Sequence, residues 1–418
     1  MRHREELAVR ERGVAAVVRS LSIRRSIRRA LALVPLAAAP LAAQPAQPRA
    51  DTLRLRLRWE IAEGGAAVAE SLGVLSGIAV DRAGTVYVSD RGATKVWVFD
   101  SLGRSLRGIG RKGEGPGEFT SPTGLVVGPD GRLWVRDVTR ISRFAADPAT
   151  GRLTRYEASA PGPTMGDWMS DRASRFTADG ALIHPEFNVV MRDPAQARTG
   201  RFLVLGADGA VRDSLVVPSF PGAPAMYARV SIDANSGRML RGLSHVPFAP
   251  LPVYDVTPRR TLLLGDGTAY RIREVDRAGK VVREFTRAVA PVRIPTAERR
   301  DSVAALKARV DSVAGMRTRV QGAPPEVWAL KLPEVYPPYM AVYAGVDGRI
   351  WVRRWVPGGE ARSVFDVFEA DGRFRTVVEV PREIAVLPTP YLSLDGIAAI
   401  GIDRETGAHT ILRFGAAR

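Results

Sequence analysis

Three residues hold the same place in internally similar segments and could bind a ligand. Arg136 and Arg353 each follow a Trp-Val pair, and Ser89 occupies the matching position of an earlier segment, with Arg91 two residues further on. A guanidinium group presents a planar fork of N–H donors that pairs with anionic oxygens. Brought together, these arginines would bind an anionic sugar, a carboxylate or an acidic peptide. The alternative, weighted equally, is that each arginine forms a salt bridge with an aspartate of a neighbouring repeat.

Aromatic residues are the second group of candidates. Tyr336 and Tyr339 lie in a proline-rich segment, so we expect them to be exposed. Trp134 and Trp351 occupy matching repeat positions within apolar runs, which favours burial between repeats over a role as ligand platforms. The predicted ligand-binding set is therefore Arg136, Arg353, Ser89, Arg91, Tyr336 and Tyr339.

The sequence lacks the residues that several catalytic chemistries require. The chain has no Cys, which excludes disulfides, thiol catalysis and Cys-ligated metal, and its four His leave little for a multi-histidine metal site. Gly108–Gly113 matches the G-x-G-x-x-G pattern, but Glu114–Gly117 is glycine- and proline-rich where a dinucleotide site needs a helix. Asp90 and Asp137 are predicted to bond turn backbone within their repeats. No catalytic or metal-binding residue is predicted.

An internal repeat provides the elements that position these residues. Gly77–Asp90 aligns without gaps with Gly124–Asp137 at an offset of 47 residues, and each segment reads as strand, turn, strand. Weaker copies begin at Ser174, Ala344 and Ile400. With the outer hairpins between them, each unit has about four strands in roughly 40–50 residues, the size of a β-propeller blade. The predicted fold class is all-β, one β-propeller of about six four-stranded blades, with seven as the alternative.

One segment departs from the repeat. Residues 296–314 are predicted to be helical, with Thr296 as the N-cap and apolar residues at helical spacing. We interpret this segment as an amphipathic insertion lying on the propeller, with a lid or a partner-binding helix as the alternative. The predicted organisation is a signal peptide at 1–43, an N-terminal lead-in and closing strand at 44–73, and the propeller at 74–418.

The N-terminus indicates export. A basic region at Arg24–Arg29 precedes the uncharged segment Ala30–Ala43, which is too short to span a bilayer. Cleavage after Ala43, by the general or the twin-arginine route, would make the protein periplasmic or secreted; an anchoring helix is the alternative. Residues 1–43 carry nine Arg and three Glu, so the mature chain would keep about +11 of the net charge of +17. Because arginines are spread along the chain without a basic patch, no nucleic-acid partner is expected.

The second repeat resembles the NHL-repeat family. Ile109–Phe119, followed by Pro122–Val127, matches that family's glycine-rich linker and first strand. Asp130–Asp137 matches its Asp-Gly-x-Leu-aromatic-Val-x-Asp pattern. The match is strong over about 75–150, partial over 340–375 and weak elsewhere. The resemblance implies an exported six-bladed propeller.

Exported propellers of this kind include metal enzymes, namely Ca²⁺-dependent lactonases and the amidating lyase. The lyase pattern needs several His, and a lactonase-like site needs Glu, Asn and Asp on one cation, whereas this chain has only Asn188 and Asn235. We therefore predict a binding or scaffold module that recognises an anionic small molecule, a glycan or a protein partner at the channel mouth. The competing prediction is a Ca²⁺-dependent lactonase- or lyase-like hydrolytic enzyme. No cofactor other than Ca²⁺, no membrane span in the mature chain and a monomer are expected.

Overall fold

The computed structural model describes residues 51–62, 72–138, 140–162, 174–177, 179–187, 200–206, 208–218, 226–232, 239–315, 332–358, 360–403 and 407–416. The predicted signal peptide and parts of the predicted lead-in lie outside these ranges. The described residues belong to one unit that spans 47–418. Strand β1 (Thr52–Ala62) comes first and alternates apolar with charged residues, so that Leu55 and Ile61 are buried while the arginines between them are exposed.

The first three blades are four-stranded antiparallel sheets whose strands follow one another in sequence. Blade 1 consists of β2 (Leu75–Val80), β3 (Val86–Asp90), β4 (Lys95–Phe99) and β5 (Ser105–Ile109). Blade 2 consists of β6 (Gly124–Val127), β7 (Leu133–Arg136), β8 (Arg140–Ala145) and β9 (Arg155–Pro161). Blade 3 consists of β10 (Arg175–Phe176), β11 (Leu182–Phe187), β12 (Gly200–Leu205) and β13 (Val211–Val216). A separate hairpin follows, formed by β14 (Met226–Ile232) and β15 (Met239–His245).

Three further blades complete the ring. Blade 4 consists of β16 (Val253–Val256), β17 (Leu262–Gly265), β18 (Arg271–Val275) and β19 (Val281–Thr286). Helix α1 (Thr296–Gly315) precedes blade 5, which consists of β20 (Ala341–Ala344), β21 (Ile350–Arg353), β22 (Ser363–Phe368) and β23 (Phe374–Val380). Blade 6 consists of β24 (Tyr391–Ser393), β25 (Gly396–Ile402) and β26 (His409–Ala416), with β1 as its outer strand. The predicted all-β propeller with six blades and a helical insertion is confirmed.

Strand β1 joins two blades. From Leu55 to Ala62 it pairs antiparallel with β26, which makes it the fourth strand of blade 6. From Thr52 to Arg54 it pairs in parallel with β23, so blades 5 and 6 share one eight-stranded sheet. The first described strand is thereby fixed against the last one.

Six apolar clusters lie between consecutive blades. Each cluster can be identified by one of its members. From the interface of blades 1 and 2 round to that of blades 6 and 1, these members are Phe119, Trp134, Ile183, Phe285, Trp351 and Ile400. Trp134 and Trp351 are 7% and 0% exposed, so the prediction that they pack between blades is confirmed. Each buried aromatic side chain removes about 150–250 Å² from water, and these clusters are the main force that closes the ring.

Tight glycine turns connect the first and second strands of the repeats. Gly131 and Gly348 have φ values of +72° and +78°, a conformation that favours glycine, and each follows an aspartate. In blade 5 the Asp347 carboxylate accepts the Arg349 N–H at 3.1 Å and so closes the turn.

The strand order gives the ring two different faces. The turns between first and second strands, and between third and fourth strands, lie at one side, which we call the turn face. The turns between second and third strands and the linkers between blades lie at the other side, the linker face. The β14–β15 hairpin interrupts the linker between blades 3 and 4, and α1 interrupts the linker between blades 4 and 5. Both insertions therefore belong to the linker face.

Helix α1 differs from its prediction in one respect. It contains 20 residues, and its apolar and charged residues are not segregated by face over that length, so the amphipathic interpretation is wrong. Instead, Val303 packs against a small cluster that includes Val246 and Ala249, directly after the hairpin. α1 also lies against β14, so the two insertions contact each other.

Candidate functional site

The three repeat-equivalent candidates lie near the linker-face ends of second strands. The strand register places Ser89 in blade 1, Arg136 in blade 2 and Arg353 in blade 5 at the same position of the repeat. Blades 2 and 5 are three places apart in a ring of six, so the two arginines belong to opposite sides of the channel. The structure does not bring them together into one anion site.

Both guanidinium groups are buried and hydrogen-bonded close to their own blades. Arg136 is 4% exposed, and it donates from Nε to Thr123 Oγ1 at 2.8 Å and from Nη2 to the Thr123 carbonyl at 3.0 Å. Arg353 is 3% exposed, and it donates to Ser363 Oγ at 3.2 Å and to the carbonyl of Ile384. In this arrangement the arginines fix the linkers beside their blades.

Ser89 and Arg91 form hydrogen bonds near the segments that lead into blades 1 and 2. Ser89 is fully buried, with its Oγ 3.1 Å from Ser76 Oγ, which donates to the Pro122 carbonyl at 2.6 Å. The N–H of Arg91 donates to the Val74 carbonyl at 3.0 Å, and its side chain is half-buried. Ser89 therefore bonds inside the wall of the channel, and Arg91 marks the start of the next turn.

Asp90 and Asp137 hold linkers and turns, as predicted from their repeat position. Asp90 accepts the N–H of Gly73, two N–H groups of its own turn and the Nε1–H of Trp97, all at 2.8–2.9 Å. Asp137 accepts three backbone N–H groups at 2.6–2.9 Å. A carboxylate that already accepts three or four hydrogen bonds has little capacity left for a metal ion.

The prediction that Tyr336 and Tyr339 are exposed is wrong. They are 4% and 1% exposed, because the proline-rich segment folds back onto blade 4 instead of projecting from it. The Tyr339 hydroxyl accepts the Gly267 N–H at 3.0 Å and donates to the Arg271 carbonyl at 3.1 Å. Burial raises the pKa of Tyr339 to about 12, so the hydroxyl keeps its proton and donates it to the carbonyl.

An aromatic cluster at the linker face joins the insertions to blade 5. Tyr336 stacks on Trp355 with ring centroids 5.6 Å apart and planes 16° apart, and Phe248 meets both rings edge-on at 5.7 and 6.2 Å. The Tyr336 hydroxyl donates to Glu298 Oε2 at 2.5 Å, and the same carboxylate oxygen accepts the Gly358 N–H at 2.9 Å. The first turn of α1 is therefore fixed to the loop after β21.

The cluster carries local strain and partial exposure. Phe248 has a φ of +60°, a left-handed conformation that is rare for an aromatic residue and that the surrounding packing must hold in place. Phe248 and Trp355 are half-buried, so part of each ring reaches the surface. The sequence analysis missed both residues, although Trp355 lies in a second-to-third strand turn that is visibly longer in sequence than those of blades 1 and 2.

A serine and a histidine meet at the interface of blades 2 and 3. Ser174 Oγ lies 3.5 Å from His184 Nδ1, and both residues are buried. Burial, and secondly the positive charge of Arg136, hold the pKa of His184 well below its ordinary value. A neutral histidine beside a hydroxyl could act as a general base. However, the cavity that Ser174 and Arg136 line measures about 10 Å³, room for one water molecule and not for a substrate.

Buried ion pairs connect blades 3, 4 and 5 and were not predicted. Asp255 accepts Arg175 Nη2 at 2.6 Å and the Ala344 N–H at 2.9 Å, which links the innermost strands of all three blades. Asp366 is fully buried and accepts the Tyr270 hydroxyl at 2.5 Å. Burial, and then the Asp366 charge, raise the pKa of Tyr270 well above its ordinary value.

The Asp366 pair also involves two arginines. Asp366 bonds the guanidinium of Arg287 and lies 3.6 Å from Arg354 Nε. Two guanidinium groups thus balance one buried carboxylate at the linker face between blades 4 and 5. The arrangement pins the start of the linker that carries α1, because Arg287 directly follows β19.

Metal binding has little support in the described ranges. No group of three or more His, Asp or Glu side chains there could hold a metal ion. Asn188 and Asn235, the amides weighed for a Ca²⁺ site, lie outside the described residues. In the same part of the chain, no helix has both the length and the apolar character needed to cross a membrane.

Comparison with known proteins supports the fold. Residues 72–145 match the DUF5128 family, described as a 6-bladed beta-propeller; the match covers less than a fifth of the chain. No curated protein matches the sequence significantly.

Solved structures show distant likeness. The chain is 14% identical to virginiamycin B lyase from Staphylococcus aureus, with 85% of this chain and 98% of that chain covered and a TM-score of 0.37. It is 10% identical to a member of the duf4221 family from Bacteroides vulgatus, with 88% and 100% covered and a TM-score of 0.38. It is 12% identical to a luciferin-regenerating enzyme, with 86% and 96% covered and a TM-score of 0.38. Likenesses at this level carry no functional argument.

Proposed function

We propose that this protein is an exported β-propeller binding module whose partner docks on the linker face, over blades 3 to 5. The observation that carries the proposal is the position of the two insertions. The β14–β15 hairpin and α1 interrupt consecutive linkers, contact each other and share one face of the ring. In repeat folds, insertions gathered on one face mark the binding face.

The aromatic cluster gives this face an anchor. Trp355 and Phe248 are held by stacking and by the Glu298 carboxylate network, so little side-chain entropy is lost when a partner covers them. Tryptophan and tyrosine in such rigid settings dominate many protein interfaces. We place the site off the channel axis, beside blade 5, because Arg136 and Arg353 are buried in separate blades. A protein or a glycan with a planar or apolar surface fits this chemistry.

Single-cysteine labelling tests the docking face, because the chain contains no Cys of its own. Val335→Cys, 41% exposed and adjacent to Tyr336, reports from the linker face, and Leu102→Cys, 70% exposed, reports from the turn face. Each variant receives an environment-sensitive fluorophore and is titrated with peptidoglycan fragments, acidic sugars and envelope proteins. A saturable signal from position 335 alone supports the proposal. An equal or larger signal from position 102 contradicts it.

A second variant shows whether affinity is lost because a contact is removed or because the protein misfolds. Trp355→Ala should weaken binding at least tenfold while the melting temperature stays within a few degrees, since Trp355 is only half-buried. Ca²⁺ is titrated alone in parallel. A rise in melting temperature with Ca²⁺ and no response to any other ligand would favour the hydrolytic alternative, because a ligand that binds only the folded state stabilises it.

A further inference from the structure

Three arginines lie together on blade 6, toward the turn face. Arg56 and Arg58 belong to β1, and Arg413 belongs to the neighbouring strand β26. Arg56 is directly paired with Gly415, which lies two positions after Arg413 and therefore on the same face of β26. Arg58, at a bulge in β1, bonds the carbonyl of Ala416. All three side chains thus belong to one corner of the blade.

Two glycines give the guanidinium groups room to lie against the sheet. Gly415 pairs directly with Gly396, the first residue of β25 after the turn-face turn of blade 6. A Cβ atom at Gly415 would lie 2.9 Å from Arg58 Nε, and one at Gly396 would lie 3.0 Å from Arg413 Nη1. The Cβ positions of directly paired residues are about 4.5–5.5 Å apart. The two guanidinium groups therefore occupy neighbouring places, with Arg56 at the adjoining position of the register.

These arginines differ from others on the surface in having no carboxylate partner. Within the described ranges, no Asp or Glu forms an ion pair with Arg56, Arg58 or Arg413. Arg54, two residues before Arg56 on the same strand, in contrast pairs with Glu379 at 3.4 Å. Arg56 and Arg58 are exposed, so their N–H donors are open to a ligand from solvent.

Arg413 shows that this part of the molecule carries an unbalanced charge. Its Nη1 is buried and has no hydrogen-bond partner among the described residues. Burial lowers the pKa of Arg413, and only Tyr391, whose ring lies 5.9 Å from the guanidinium, acts in the opposite direction. Burial raises the pKa of Tyr391, and the carboxylates of Asp347, Asp395 and Asp81 add to that rise, but none of them acts on Arg413. A partly desolvated charge without a counter-ion costs stability, and a bound anion would offset that cost.

We propose that these three arginines bind a phosphate-type oxyanion, either free or as a phosphomonoester. A phosphate presents several oxygens around one centre, so it can accept hydrogen bonds from guanidinium groups on two different strands. Three guanidinium groups, offset by the exposed Asp395 of the adjacent turn, leave an excess of two positive charges. A phosphomonoester carries about −1.5 to −2 at pH 7 and matches that excess, whereas a single carboxylate balances half of it.

Calorimetric titration of the purified chain with inorganic phosphate at low ionic strength tests the site, with acetate as the singly charged control. We expect phosphate to bind at least tenfold more tightly than acetate. Arg58→Ala and Arg413→Met should each weaken phosphate binding at least tenfold. Arg373→Ala is the matched control, because it removes the same charge from an 81% exposed arginine that pairs with Asp371 at 2.7 Å. It should leave phosphate binding within twofold of the wild type.

Gly415→Ala tests the geometry of the site at constant charge. The three atoms nearest to the new methyl group all belong to the flexible Arg58 side chain, so that side chain moves and the backbone does not. Phosphate binding should weaken at least fivefold while the melting temperature stays within a few degrees. If Arg413→Met fails to fold, Arg58→Ala and Gly415→Ala provide the same comparison.

Sedimentation with vesicles tells two sources of the phosphate group apart. Phosphatidylcholine vesicles with and without phosphatidic acid are compared. Binding of inorganic phosphate supports a soluble ligand, and binding to phosphatidic acid vesicles alone supports a lipid headgroup, provided that Arg58→Ala removes the binding. The proposal is overturned if neither probe binds, if acetate binds as tightly as phosphate, or if Arg373→Ala weakens binding as much as Arg58→Ala. The site is independent of the linker-face proposal, and its test does not use the labelled positions 335 and 102.

Discussion

Acidification should destabilise this protein in part through His184. The imidazole is 2% exposed at the interface of blades 2 and 3 and faces the guanidinium of Arg136, so the folded state keeps it neutral. In the unfolded chain it has an ordinary pKa of about 6.5. Below that pH the unfolded state takes up a proton that the folded state does not, and the free energy of unfolding falls as the pH falls. The unfolded pKa alone sets the upper limit of this loss, which is about 1.4 kcal/mol at pH 5.5 and about 2 kcal/mol at pH 5.0 for a folded state that binds no proton.

His184→Val is the variant that isolates this contribution. Val135 of blade 2 and Val352 of blade 5 hold the same register position, so valine suits the backbone and the packing there. Urea unfolding followed by tryptophan fluorescence, at pH 7.5, 6.5, 5.5 and 5.0, gives the free energy of unfolding for both proteins. The wild type should lose about 2 kcal/mol more than the variant between pH 7.5 and pH 5.0. Parallel pH curves would refute the reasoning, since they would mean that the folded state protonates His184 without cost.

Two further substitutions test the buried hydrogen bonds. Asp90→Ala leaves three backbone N–H groups and the Trp97 indole N–H without their acceptor, so the free energy of unfolding, measured by urea, should fall by about 3 kcal/mol. The control is Asp371→Ala, at a 51% exposed carboxylate, which should change that free energy by less than about 0.5 kcal/mol. Tyr339→Phe removes the hydroxyl that accepts the Gly267 N–H, and thermal unfolding should show a loss of about 1–2 kcal/mol; an unchanged melting temperature would show that water replaces the hydroxyl.

The repeat was predictable because its signal is local. The alignment of Gly77–Asp90 with Gly124–Asp137 already contains the strand lengths, the glycine turn and the equivalence of Ser89 with Arg136, and the register confirms each of these. The sequence left the blade count open between six and seven because the chain length divided by the repeat spacing allows either number. The structure shows that the 226–245 hairpin takes up part of that length without forming a four-stranded sheet. Strand pattern alone does not tell a blade from a hairpin inserted between two blades.

The contacts of the candidate site were less predictable because they depend on which blades become neighbours. The bond between Arg175 and Asp255 joins residues 80 positions apart, and nothing near either residue in sequence indicates it. Tyr339 was misjudged for a similar reason. Its proline-rich surroundings are typical of an exposed loop, but the loop packs against blade 4, where Gly267 and Arg271 supply partners for its hydroxyl.

The pairing of β1 with β26 has a consequence for the order of assembly. Arg58 bonds the carbonyl of Ala416 across 358 positions of sequence, one of the longest separations that the fold contains. A contact this distant must overcome a large loop-closure entropy, so it forms late and slowly, after blades 1 to 5 can each assemble from nearby residues. Until then blade 6 has an open edge, and the chain stays an unclosed arc. The pairing of β1 with β26 therefore closes the finished ring. A force that pulls β1 away would open the ring while the hydrogen bonds within blades 1 to 4 remain intact.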